Sequence, residues 1–199
     1  MGFLYADGCV TGNKLEISLK ESDKEHLYKL CDFVKCSHDK VKINKTNHDG
    51  CFRCRLTLIN KHFANQLISL GCTERKSLTL TFPDISIFSD KKLVRHFIRG
   101  YFDGDGCISY ADKTHTKPCI SVLGTEQMCS SIVENTLKFP NKLYGSNKKD
   151  DIVKSYSVSG ANALTFMYIL YYNSNIYLDR KYQRFLDFKD CRFKEKSLK

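Results

Sequence analysis

One eight-residue pattern is written twice in this chain, as Gly2-Phe3-Leu4-Tyr5-Ala6-Asp7-Gly8-Cys9 and as Gly100-Tyr101-Phe102-Asp103-Gly104-Asp105-Gly106-Cys107. Aligning the copies puts Gly2 on Gly100, Ala6 on Gly104, Asp7 on Asp105 and Cys9 on Cys107, an offset of 98 residues (105 − 7). The second copy continues an apolar run from Phe97 and reads as a helix that stops on carboxylates and glycine. Residues four apart share a helical face, so Gly100 and Gly104 open one face to close approach by another backbone. Each interior glycine costs roughly 1 kcal/mol against alanine, so packing or function has to compensate. Acids at a helix C-terminus oppose its dipole, which calls for a cation at that end.

Each copy opens a half with the same order of elements. Leu15, Ile17 and Leu19 alternate with Glu16, Ser18 and Lys20, the period of a strand with one packed face. Ser22-Asp23-Lys24-Glu25 reads as a capping box for a helix to about Lys35, with Leu27, Leu30, Cys31 and Val34 on its apolar stripe. Lys40 to Lys45 and Phe52 to Leu58 read as a hairpin turned at Asn47-His48-Asp49-Gly50. In the returning strand Arg53, Arg55 and Thr57 share a face, which is either a solvated surface or, with Lys42 and Asn44 alongside, a surface for phosphates and base edges. Asn60 begins a third helix with Phe63, Ala64, Leu67 and Ile68 facing inward. The second half repeats this: strands at 107–110 and 119–123, a helix capped by Thr125 and lined by Met128, Ile132, Val133 and Leu137, a hairpin within 138–158, and a helix from about Asn162 to Tyr172. Arg75-Lys76 and Arg180-Lys181 follow the third helix of each half, 105 residues apart (181 − 76). The tail from Arg184 reads as a solvated terminal helix, amphipathic at Phe185 and Phe188 and then basic.

A net charge of +10 points to a polyanionic partner, and the basic excess is concentrated in residues 91–199. No apolar run reaches the roughly 18 residues of a membrane span, and Met1 leads into the repeated pattern rather than a signal peptide. Ten cysteines in that setting are read as reduced thiols of an intracellular protein in a reducing compartment. Cys51-Phe52-Arg53-Cys54 has the spacing of half a zinc site, but no second Cys-x-x-Cys pair completes it.

The duplicated stretch resembles the motif of the LAGLIDADG homing endonucleases, in the single-chain form that carries it twice. Ile98 to Gly106 is the fuller match, while the first copy lacks residues that would precede Met1. The resemblance covers nearly the whole chain. It implies an α+β fold of two pseudo-symmetric halves, each helix-hairpin-helix-hairpin-helix, with antiparallel sheets forming a saddle over DNA. The halves are expected at 1–83 and 93–199, joined by a linker at 84–92. It further implies that the motif helices pack together and bring Asp7 and Asp105 side by side, with the backbone at Ala6 and Gly104 and with Mg²⁺ held between them, Mn²⁺ being able to substitute. Lys76 and Lys181 resemble the family's lysines near the active site, which position the attacking water and steady the phosphate. Asp103, opposite Tyr5 in the alignment, is read as structural. DNA contacts are expected from Glu16, Ser18, Lys20, Lys42, Asn44, Arg53, Arg55 and Thr57 in the first half. In the second they are expected from Ser121, Lys154, Ser155 and Ser157, with Arg75 and Arg180 at the Arg-Lys pairs.

The resulting expectation is a site-specific endonuclease that cuts both strands of a long asymmetric duplex across the minor groove and leaves short 3′ overhangs. An intron-RNA-binding maturase and a DNA-binding regulator that has lost its metal ligands use the same scaffold; retention of both aspartates argues against the regulator. The internal duplication supplies the symmetry that single-motif relatives obtain by dimerising, so one chain is expected per duplex. Sedimentation of the DNA complex checks this, and two chains per duplex would contradict it.

Overall fold

The computed structural model describes the backbone of all residues except 47–49, 74–75, 138–142, 146–151 and 198–199, and the side chains of those described residues except 77, 143–145 and 191–197. The Asn47-His48-Asp49 turn, Arg75 and most of the second hairpin's turn therefore lie outside the described residues. The first half runs α1 (Gly2–Asp7), β1 (Gly8–Thr11), β2 (Lys14–Lys20), α2 (Lys24–Phe33), β3 (Val41–Lys45), β4 (Phe52–Ile59) and α3 (Lys61–Ser69). The second runs α4 (Val94–Asp105), β5 (Gly106–Tyr110), β6 (Pro118–Thr125), α5 (Glu126–Glu134), β7 (Leu143–Gly145), β8 (Val153–Ser159) and α6 (Ala161–Tyr171), followed by α7 (Asp179–Ser197). The two antiparallel sheets have matching orders, β1-β2-β4-β3 and β5-β6-β8-β7. This is the α+β arrangement of two similar halves that the repeat implies.

Alternation decides which face each sheet buries. Leu15, Ile17 and Leu19 of β2 and Cys54 and Leu56 of β4 are buried against helices, as are Ile120 and Val122 of β6 and Tyr156 and Val158 of β8. The residues between them stay open. Asn60 caps α3 by accepting from Phe63 N–H at 3.0 Å, and Thr125 caps α5 by accepting from Met128 N–H at 3.2 Å. The Ser22 capping box does not form. A 3-10 turn over Glu21–Asp23 leads into α2, and the buried Asp23 carboxylate accepts from Arg180 Nε at 3.1 Å instead. α2 starts one residue later than the box requires, with Asp23 rather than Ser22 at its N-cap position.

One cluster of buried residues runs through both halves, and a second, including Ile17, Leu27, Cys31, Cys54 and Leu56, fills the space between α2 and the first sheet. Leu80 and Phe82, just before the expected linker, are buried and reach across to the second half. The Thr125 hydroxyl donates to Leu80 O at 2.6 Å, Gln127 accepts from Phe82 N–H, and the Phe82 ring packs edge-on against Phe97. The stretch 84–92 carries two short 3-10 turns, over Ile85–Ile87 and Lys91–Leu93, capped by Asp84 and Asp90.

α1 and α4 lie side by side with almost no side chain between them. A Cβ built on Gly100 would come within 2.6 Å of Phe3 N and 3.2 Å of Gly2 C, and one on Gly2 would overlap the carbonyl of Phe97. These obstacles are backbone, so they cannot rotate away. Gly100→Ala is therefore expected to part the helices and cost about 2–4 kcal/mol, in the range of overpacking and its knock-on cavities. Gly12→Ala, at a turn with φ +59° and nothing within 4 Å, should cost only about 1 kcal/mol of backbone strain. Thermal or denaturant unfolding of the two variants checks the contrast; equal losses would contradict the close crossing.

Candidate active site and nucleic-acid interface

Both motif helices end where both inner-edge strands begin, so the close crossing fixes their last residues relative to each other. A Cβ on Gly104 would overlap the methyl of Ala6 and stand 3.0 Å from Oδ2 of Asp7. The Asp7 carboxylate thus lies over Gly104, one residue from Asp105. Asp7 is exposed and Asp105 half-buried. Burial, then the Asp7 charge, pushes Asp105 up to about 6, while Tyr101, Lys181 and Lys76 oppose the rise. Although Asp7 keeps an exposed edge, the loss of water around its carboxyl also raises it, against the pull of Lys181, Lys76 and Arg180. Two carboxylates that each resist ionisation this way are short of positive charge.

The cations demanded by the helix ends are the two repeated lysines. Lys181 is 3% exposed, and its ammonium donates to the carbonyls of Phe102 at 2.6 Å, Asp103 at 2.8 Å and Gly104 at 3.3 Å, and to that of Gly106. Lys76, 8% exposed, donates to the carbonyl of Gly8, the repeat partner of Gly106. Each lysine therefore neutralises the negative pole of one motif helix and satisfies carbonyls left without intrahelical partners. Burial lowers Lys181 to about 8, with Asp103 and Asp7 acting to hold its proton.

Position 5/103 is structural in both halves by different chemistry. Buried Asp103 accepts from the Tyr171 hydroxyl at 2.6 Å and from Leu178 N–H at 3.1 Å, while the Tyr5 hydroxyl donates to Leu70 O. Either way the motif helix is tied to the end of its half's third helix, from which the lysine segment departs.

Strand register gathers most of the expected contact residues on the open faces. Ser18, Arg55 and Lys42 form one row across β2, β4 and β3; Lys20, Arg53 and Asn44 form the next, and Glu16 pairs with Thr57. In the second sheet Cys107, Ser121 and Ser157 share a row, and Ser155 faces Leu123. Lys154 departs from the expectation. It pairs with Gly124 and has the parity of buried Tyr156 and Val158, so the two-residue period puts it on the helix-packed face. Arg180 is committed to Asp23, tying the second half to the first. Lys14 was not among the expected contacts, although it shares the parity of Glu16 and bonds it at 3.0 Å. Cys54 is buried, and among the described residues no group of three or more His, Cys, Asp or Glu is placed to hold a metal. No helix among the described residues is long and apolar enough to cross a membrane.

No protein-family model matches the chain. A 28% identical match over 114 residues, 54% of this chain, is to a protein described as a probable translation initiation factor IF-2 from Methanocaldococcus jannaschii; the match spans 9% of that protein's length. Solved structures resemble the whole chain. The I-LtrWI LAGLIDADG homing endonuclease bound to target DNA superposes with a TM-score of 0.61 at 12% identity, over 98% of this chain and 89% of that one. The LAGLIDADG meganuclease I-AabMI, bound to uncleaved DNA, gives 0.54 at 15% identity over 98% and 90%. The repeated motif, the two matched sheets and these neighbours agree: the chain has the fold of the LAGLIDADG homing endonucleases.

Proposed function

We propose that the protein is a metal-dependent DNA endonuclease that seats a long asymmetric duplex on its two sheets and cuts both strands beneath the paired helix ends. The observation that carries this reading is the convergence of Asp7 and Asp105 at the crossing, between one sheet face rich in basic groups and one rich in hydroxyls. Cleavage across the minor groove, leaving short 3′ overhangs, follows from the resemblance of the motifs.

The site suits a hard divalent cation such as Mg²⁺. Its donors are carboxylate oxygens of Asp7 and Asp105, and Asp105 is pushed up partly by Asp7, a repulsion that a shared cation relieves. A divalent ion held there would supply activation of water and stabilisation of charge on phosphorus. The chain's own residues do the rest. Lys181 and Lys76 hold the carbonyl ends of the two helices, so the carboxylates stay aligned as a substrate approaches. Arg53, Arg55, Lys42 and Lys20 attract and orient the duplex. The unlike sheet faces suit an asymmetric site.

Asp105→Asn keeps shape and removes a charge. Binding should persist in Ca²⁺, while single-turnover cleavage with Mg²⁺ falls about a thousandfold or more, the equivalent of roughly 4 kcal/mol. Near-parental cleavage would remove the nuclease assignment. The same variant has a second expected effect. A carboxylate whose folded pKa is raised destabilises the fold when ionised, and the penalty fades as pH falls from about 6 toward the unfolded value near 3.8. Without divalent ions, Asp105→Asn should therefore stabilise the protein at pH 7.5 by on the order of 1 kcal/mol, with the gain vanishing near pH 4. Melting curves at the two pH values read this directly.

Lys181→Met leaves several carbonyls of the α4 end without a donor. It should cost about 2–3 kcal/mol of stability and slow cleavage more than it weakens binding. Lys76→Met should act in the same direction on the α1 side. Unfolding and single-turnover assays on both variants check this; parental stability would show that the lysines do not hold the helix ends.

A further inference from the structure

The two sheets share a topology and differ in electrostatics. Lys14, Lys20, Lys42, Arg53 and Arg55 stand on the open face of the first sheet, whereas Cys107, Ser109, Cys119, Ser121, Leu123, Ser155, Ser157 and Ser159 occupy the equivalent face of the second. Among the described residues, the second face carries no charged side chain. Among the described residues the first face carries one carboxylate, Glu16, and it lies among cations. Its Oε1 accepts from Lys14 Nζ at 3.0 Å and from the Thr57 hydroxyl at 3.4 Å, and lies 3.6 Å from Nη1 of Arg55.

On a face that meets phosphates, an acid weakens association unless it serves the cations around it. Glu16 is well placed to do so. It sits on β2 opposite Thr57 and diagonal to Arg55, the reach over which long cross-strand side chains interact. Its side chain is 28% exposed and that of Arg55 is 54% exposed, so the acid lies deeper and the guanidinium projects outward. An arginine held along one edge keeps its other N–H groups in a fixed fork, the geometry that meets O6 and N7 of guanine.

Resting on the duplex-binding reading above, we propose that Glu16 is a positioning residue for Arg55, and that the half-site met by the first sheet carries a guanine read by Arg55. Lys14 and Thr57 hold the carboxylate in place, and the carboxylate limits the directions open to the guanidinium. Specificity at that base pair then depends on a residue that does not touch the DNA.

The test is selection of bound duplexes from a randomised library, in Ca²⁺, by the parent, Arg55→Gln and Glu16→Gln. The parent should enrich guanine at one position near one end of the site. Arg55→Gln should move that preference to adenine, the base whose N6 and N7 suit a glutamine amide. Glu16→Gln should weaken the guanine preference about tenfold at the same position, within the range of one bidentate contact, and leave preferences elsewhere in the site in place. Full guanine preference in Glu16→Gln would overturn the positioning role. A changed preference at a different position, with the Arg55 guanine intact, would make Glu16 a direct reader and overturn it too. If the parent enriches no sequence at all, the duplex-binding reading itself fails, which separates that failure from failure of the Glu16 assignment.

Discussion

Backbone contact between α1 and α4 at Gly2 and Gly100 sets the geometry of everything else. Side chains at these positions would hold the helices apart, and Asp7 and Asp105 would then end in separate surroundings. Because Gly100 lies against the backbone of Gly2 and Phe3, and Gly104 against Ala6 and Asp7, the helix ends have little freedom to slide. Each end passes directly into an edge strand, β1 or β5, so the same contact also sets how the two sheets are placed about the carboxylates. One constraint thus couples the chemical centre to the surface that would carry its substrate.

A crossing that gathers carboxylates at helix C-termini is electrostatically unfavourable, and the fold offsets this twice. Buried lysines from the segments after α3 and α6 reach back onto the helix-end carbonyls. Those segments are themselves fixed by position 5/103, through Tyr5 on Leu70 in one half and Asp103 on Tyr171 and Leu178 in the other. The unequal clusters show that the repeat preserves the mechanical task rather than the chemistry. The halves are then joined by Arg180 with Asp23 and Lys29 with Asp179, and by Leu80 and Phe82 packed beyond the expected boundary.

Much of this was legible in the sequence because it depends on period and repetition. The 98-residue offset (105 − 7) aligned the glycines and aspartates correctly, and the two-residue period put Arg53, Arg55 and Thr57 on one face. The need for a cation at each helix end was also readable, and the resemblance put Lys76 and Lys181 near the site; their bonds to the helix-end carbonyls were not readable, since Lys181 comes from a segment distant in sequence. Features set by competition among partners were misread. Ser22 looks like the cap of α2 until Asp23 takes that position and is drawn to Arg180, and Lys154 looks like a DNA contact until parity is counted from Tyr156. Overall charge misled in another way: the more basic half has the uncharged described sheet face, because its described cations lie on helices and loops, apart from Lys154 on the packed face of β8.

The central claim is that the crossing brings Asp7 and Asp105 close enough to share one cation. It is tested most directly by titrating the Asp105 carboxyl, with selectively ¹³C-labelled aspartate and metal-free protein, in the parent and in Asp7→Asn. The account places Asp105 near pH 6 in the parent. It expects a clear downward shift when the Asp7 charge is removed, and a similar downward shift when Mg²⁺ is added to the parent. A titration that is unchanged by both would show that the two carboxylates do not share a site.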